Sequence, residues 1–283
     1  MAENTITGLI PEIYEALDIV SRELTGMIPS ATMNASSNTA AVGQAIRIDV
    51  EPAGNVSNIA PAMTVPDPTG QTSGFTDIII TKSRAAEFGF LGEDQKGLNT
   101  GAGYGTVRAN KIAQAIRAVT NEVETDLCGL QSTFSRAHGT AGTAPFGTAN
   151  DYTDASNVLK ILKDNGSPLQ DNQLVINTTA GVNLLGKQAA VADAGSDSIL
   201  RQGVLLDING MPIRESAQIV DQAAGGIAGA ATTNAAGYAV GATVLTLAAG
   251  GTGNVVAGDV LTFAGDTNKY VVASAVFAGV NPA

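Results

Sequence analysis

The sequence contains no tryptophan, one histidine and one cysteine among 283 residues. Each shortage removes a class of function. Cys128 has no partner for an intrachain disulfide, so the small secreted scaffolds stapled by such bonds are excluded, and a reducing cytosol suits its synthesis. One histidine and one cysteine cannot supply the several ligands of a zinc site. A Ser–His–acid triad would have to use His138, and no G-x-S-x-G turn occurs to present a nucleophile. Positive charge is also short: 15 Lys and Arg stand against 26 Asp and Glu, for a net charge of −11. Such a chain is not drawn to phosphate backbones, which disfavours specific nucleic-acid binding. The first residues, MAENTITGLIPEIYEAL, have neither the basic start nor the apolar run of a signal peptide. The most apolar later stretch, 225–251, is broken Ala, Gly and Thr and does not read as a membrane span.

What is present is small and patterned. Hydrophobic residues make up 44% and aromatics only 4%, with 33 glycines, so burial is affordable but its units are small. Residues 8–24 place Leu9, Ile13, Leu17, Val20 and Leu24 on one helical face, and Gly26 and Pro29 end the pattern. An apolar stripe at a terminus needs a partner. Residues 45–50 (AIRIDV) and 76–83 (TDIIITKS) read as strands. The intervening stretch is punctuated by Pro52, Gly54, Pro61, Pro66, Pro68 and Gly70, so the pair is expected to form an extended hairpin arm.

The strongest signal follows a glycine-rich hinge at 99–105. Ile112, Ile116, Val119, Val123, Leu127, Leu130 and Phe134 recur at steps of three and four, predicting a rod-like helix of roughly 40 Å. From residue 144 the texture is mixed. A helix is expected over 153–165, capped by Thr153 or Asp154, then a strand at 173–177 and a helix over 178–188. Asn209-Gly210 between apolar segments predicts a tight hairpin turn. After Val220 only Asp221, Asp259, Asp266 and Lys269 are charged, and 239–247, 259–263 and 270–276 read as strands of a separate small β module.

Nothing in this pattern assembles a reaction centre. Cys128 falls within the helical pattern and reads as a small buried residue. Gly101, Gly103 and Gly105 lack both the spacing of a dinucleotide fingerprint and the lysine of a P-loop. Asp207 begins a sequence like a calcium loop, but the distal glutamate is missing. Glu122, Glu124 and Asp126 fall on different faces of one helical run and read as a solvated surface. The expectation is therefore no metal, no cofactor and no enzymatic activity. A weaker alternative is a surface or adhesion β-module protein, prompted by the Ala/Gly/Thr-rich tail.

The order of parts resembles the major coat proteins of tailed bacteriophages with the HK97-like fold, and is most similar to the branch typified by the Salmonella phage P22 coat protein. The residues that carry the resemblance are 76–95 (TDIIITKSRAAEFGFLGEDQ), 108–127 (RANKIAQAIRAVTNEVETDL) and 258–265 (GDVLTFAG). The resemblance implies an α+β fold with an N-terminal arm (1–40), an extended loop (41–83), a peripheral domain with its spine helix (84–137), an axial α/β domain (138–220) and an inserted small β domain (221–283). Family members return from the insertion to the axial domain, whereas this sequence reaches Asn281-Pro282-Ala283 soon after the β module. The resemblance also implies self-assembly into pentamers and hexamers of an icosahedral shell. Scaffolding and portal proteins would be partners, and a decoration protein a further one. Double-stranded DNA would be packaged without specific binding, and no membrane is involved. The chain would be made in the bacterial cytoplasm and reside in the virion. On that reading Arg47, Asp67, Lys82, Arg84, Glu93 and Asp94, which cluster around the arm, are the candidate intersubunit charges.

Overall fold

The computed structural model describes residues 24–33, 41–52, 54, 70, 72–89, 92, 104–140, 142–148, 151–168, 170–190, 207–226, 232–234, 237–239, 241–249 and 253–276. The amphipathic helix expected over 8–24, apart from Leu24, and the arm tip at 55–69 lie outside the described residues, as does most of the glycine-rich hinge. The chain divides into two compact units, Thr32–Phe90 and the remainder.

The first unit is built on a two-stranded antiparallel ribbon, β1 (Ala45–Val50) and β2 (Gly74–Ile79). Its register sets Ala45 opposite Ile79 and Val50 opposite Gly74. The pattern that predicted two strands is β-branched and alternating, which fits a pleated ribbon.

The described part of the second unit begins with residues 24–31, which include a single 3-10 turn at Ile28–Ser30. Its long helix, α1 (Tyr104–Gly129), has 26 residues and hence a length of about 39 Å at the standard rise. A 3-10 turn, Leu130–Thr133, follows Gly129, so the regular helix stops short of the last two apolar positions of its stripe. The stripe is covered unevenly. Ile112 and Ala113 are buried with Ile116 packed beside them, whereas Val123, Leu130 and Phe134 are exposed. Along the C-terminal half of α1 the buried positions are Glu124 and Cys128 instead.

The largest core belongs to an α/β group formed by α2 (Thr153–Asp164), β4 (Leu174–Ile176), α3 (Thr178–Ala190) and β5 (Ile213–Glu215). Phe146, Ala155, Ile176, Ala180, Leu184 and Met211 fill it. β4 and β5 run parallel, Leu174 opposite Ile213 and Ile176 opposite Glu215. The caps differ from expectation. Thr153 and Asp154 lie inside α2, and the Asp151 carboxylate accepts the Thr153 amide at 2.8 Å. Asp154 instead accepts the amide of Phe146 at 2.8 Å, holding that buried ring on a backbone with φ of 57°. Such a conformation is strained for a bulky residue. The Lys187 side chain is buried against the rings of Phe146 and Tyr152 and donates to the Asp151 carbonyl, and its charge also acts on the Asp151 carboxylate. The Asn209-Gly210 turn forms as expected, with φ values of 53° and 75° and a bridge between Ile208 and Met211. The strand after it pairs with β4.

Three late strands fall near their expected places: β7 (Leu247–Ala249), β8 (Val260–Thr262) and β9 (Lys269–Val271). Residues 241–246 carry no strand, contrary to expectation, and β7 pairs with the short β6 (Thr232–Thr233). β8 (Val260–Thr262) and β9 (Lys269–Val271) are not a free-standing pair. β9 pairs on one edge with β8 and on the other with β3 (Arg136–Ala137), which follows the 3-10 turn at the end of α1. Tyr270 anchors this sheet through an edge-on contact with Phe263, the Arg136 guanidinium over its ring and a hydrogen bond to Asp266.

Candidate functional site

Two places in the chain hold more than packing requires of them: the ribbon and the buried end of α1. In the ribbon, alternation sends Arg47, Asp77, Phe75 and Ile79 to one face and Ile46, Ile48, Val50 and Ile78 to the other. Arg47 sits directly opposite Asp77, and its Nε donates to the carboxylate at 3.2 Å. The guanidinium also lies 3.6 Å from the centroid of the Phe75 ring, its diagonal neighbour. The pair is exposed, so its contribution to stability is of order 1 kcal/mol or less. Its effect is to fix register and orientation. Both faces remain open: Phe75 is 56% exposed and Ile79 58% on one, and Val50 and Ile78 are each 50% exposed on the other. A two-stranded ribbon is marginal alone, and fully covering one large aliphatic or aromatic side chain is worth about 1.5–3 kcal/mol. Open apolar residues on both faces therefore make the ribbon a surface that gains by being covered.

Of the six candidate charges, Arg47 lies in β1, while Lys82 and Arg84 lie exposed in the segment after β2. The structure thus brings Arg47, Lys82 and Arg84 into one unit. Asp67, Glu93 and Asp94 lie outside the described residues.

The second place was not foreseen. Glu124 has no exposed surface, and its carboxylate accepts the backbone amides of Gly26, Met27 and Ile28 at 2.8, 2.8 and 2.9 Å. The solvated-surface reading is therefore wrong for this residue. Burial pushes its carboxyl up, but hydrogen bonds from Met27, Ser216, Ile28 and Gly26 favour the anion more and hold it below its ordinary value. Ser216 is itself fully buried and lies 3.6 Å from the Cys128 sulfur. Cys128 is buried as expected. Burial, with the Glu124 charge, pushes its thiol up despite the Ser216 hydrogen bond, which is the reverse of what a nucleophile needs. Gly26 is pressed against the β4–β5 pair, where a Cβ would stand 2.7 Å from Val175 Cγ1 and 2.9 Å from the Glu215 carbonyl oxygen. Ser30 Oγ completes the junction through Gln173, which also accepts from Arg214. The only hint in the sequence was Gly26 itself, placed where a helix stop accounts for it.

His138 lies beyond β3, its Nε2 3.2 Å from Asn157 Nδ2 and 3.6 Å from Asp154 Oδ1, on an exposed surface. Among the described residues no cluster of three or more His, Cys, Asp and Glu has the arrangement of a metal site, and no helix is long and apolar enough to cross a membrane.

No protein-family model matches the chain, and no curated protein matches it. A solved structure from Mycobacterium phage Che8 does. It superimposes with a TM-score of 0.53 over 69% of this chain and 70% of that one, at 16% identity. The chain shares a fold with a phage protein. At that identity the likeness is one of mixed α and β architecture.

Proposed function

We propose that this chain is a major capsid protein of a tailed phage, with an HK97-like fold, that assembles into the pentamers and hexamers of an icosahedral head around double-stranded DNA. The observation that carries the reading is the ribbon, which presents apolar side chains on both faces and a fixed Arg47–Asp77–Phe75 group on one of them. A ribbon of this kind has a use where another copy covers it. The long α1, the α/β core and the shared fold with a phage chain support the same reading. On this proposal the chain performs no catalysis and holds no cofactor. Arg47, Lys82 and Arg84, with Asp67, Glu93 and Asp94, meet charges of neighbouring subunits. Scaffolding and portal proteins are its partners, and a decoration protein is added outside. The net negative charge keeps packaged DNA from adhering to the wall.

The test is to charge one ribbon face. Ile48→Lys with Ile78→Lys places two ammonium groups among the apolar residues of that face. Light scattering is expected to show no assembly, while thermal melting by circular dichroism stays as in the wild type. Particles at wild-type yield would overturn the role given to the ribbon.

A further inference from the structure

We propose that Glu124 is a releasable clasp: its carboxylate fastens residues 24–31 to α1, and neutralising or removing it frees that segment while the α/β core stays folded. The inference goes beyond the capsid reading and does not depend on it.

The segment has no apolar anchor of its own. Its 3-10 turn buries no side chain, Leu24 is exposed, and Met27 and Ile28 are only half-buried. What fastens it is polar. Three successive amides converge on one carboxylate, and Ser30 reaches Gln173. Those amides precede and open the turn at Ile28–Ser30, where backbone donors have no partner within the turn. An ionised carboxylate is the strongest acceptor available for them, and hydrogen bonds to a charged group are roughly twice as strong as neutral ones. The core of the α/β group is separate in kind, since apolar side chains from α2, α3, β4 and β5 hold it without Glu124. Loss of one ionised group therefore removes most of what holds the first segment and little of what holds the core.

Among the described residues the groups facing Glu124 are few. Cys128 lies on the same helix, Ser216 follows β5, and the segment contributes only backbone at Gly26, Met27 and Ile28. Glu215 turns its backbone carbonyl toward Gly26, and its carboxylate lies instead against Gly181. Arg214 reaches the junction only through Gln173. A glutamine at 124 cannot do the same work. Its oxygen can accept from Gly26 and Met27, but its amide nitrogen would then face the Ile28 N–H, donor against donor.

Amide hydrogen exchange on the full-length wild type and on Glu124→Gln, followed by mass spectrometry, tests the clasp. Peptides over 24–33 and 178–190 report the segment and the core. Glu124→Gln is expected to speed exchange in 24–33 by about tenfold or more, while 178–190 remains protected. In the wild type, acidification below the ordinary carboxyl value of 4.5 is expected to strip protection from 24–33 first. This second arm serves even if the variant fails to fold. Unchanged exchange at 24–33 in the variant would overturn the proposal, and so would loss of both regions together as the wild type is acidified.

Discussion

Glu124 sets the pH behaviour expected of the junction. Its carboxyl is held below its ordinary value of 4.5 in the folded chain, so it contributes stability at higher pH, and that contribution fades as pH falls through the folded value. Denaturant unfolding near neutral pH is expected to show Glu124→Gln less stable by about 1–3 kcal/mol, with the gap narrowing under acid. A gap constant from pH 7 to pH 3 would contradict the assignment of the buried anion. Two glycines give a sharper contrast. Gly26→Ala drives a methyl into Val175 and a backbone carbonyl, neither of which can yield cheaply, and is expected to cost about 1–3 kcal/mol. Gly181→Ala meets only the end of the Glu215 side chain, which can swing away, and the alanine favours the helix, so its cost is expected under about 1 kcal/mol. Thermal melts of the two variants check this order. Beyond Gly26 itself the junction was not legible in the sequence, because the partners of Glu124 lie 96–98 residues away and a spacing rule within one helix cannot see them.

At the scale of elements, local pattern carried well where an element decides its own geometry. The α1 stripe is regular and unbroken by proline, and the ribbon strands alternate, so both were readable. Pattern failed where pairing or burial is settled by distant chain. Val123, Leu130 and Phe134 fit the stripe as well as Ile112 does, yet they are exposed, because coverage depends on what lies alongside. Residues 241–246 have strand-like composition, but Val244 stands exposed there, and only Leu247–Ala249 forms a strand. The pairing of β9 with β3 spans about half the chain and leaves no local sign. The arm makes an element-scale prediction. Deleting residues 54–70 removes the tip between β1 and β2, outside the α/β core. Circular dichroism should show the core still folded, while light scattering should show assembly lost. Assembly at wild-type extent would mean that the arm is not the contact proposed for it.

For the whole molecule, the order of parts was legible even though no single motif was specific. A ribbon, a long helix, an α/β core and late strands follow one another in the sequence and in the structure. The described chain has apolar surface to cover on the ribbon and along the end of α1. That surface suits the proposed task of meeting copies of itself. A shell also sums many modest contacts through symmetry, so no single interface need be strong. Electron microscopy of the purified full-length protein tests this most directly. Closed shells or large rings built from repeated subunits are the predicted result, and small monodisperse species under every condition tried would contradict it.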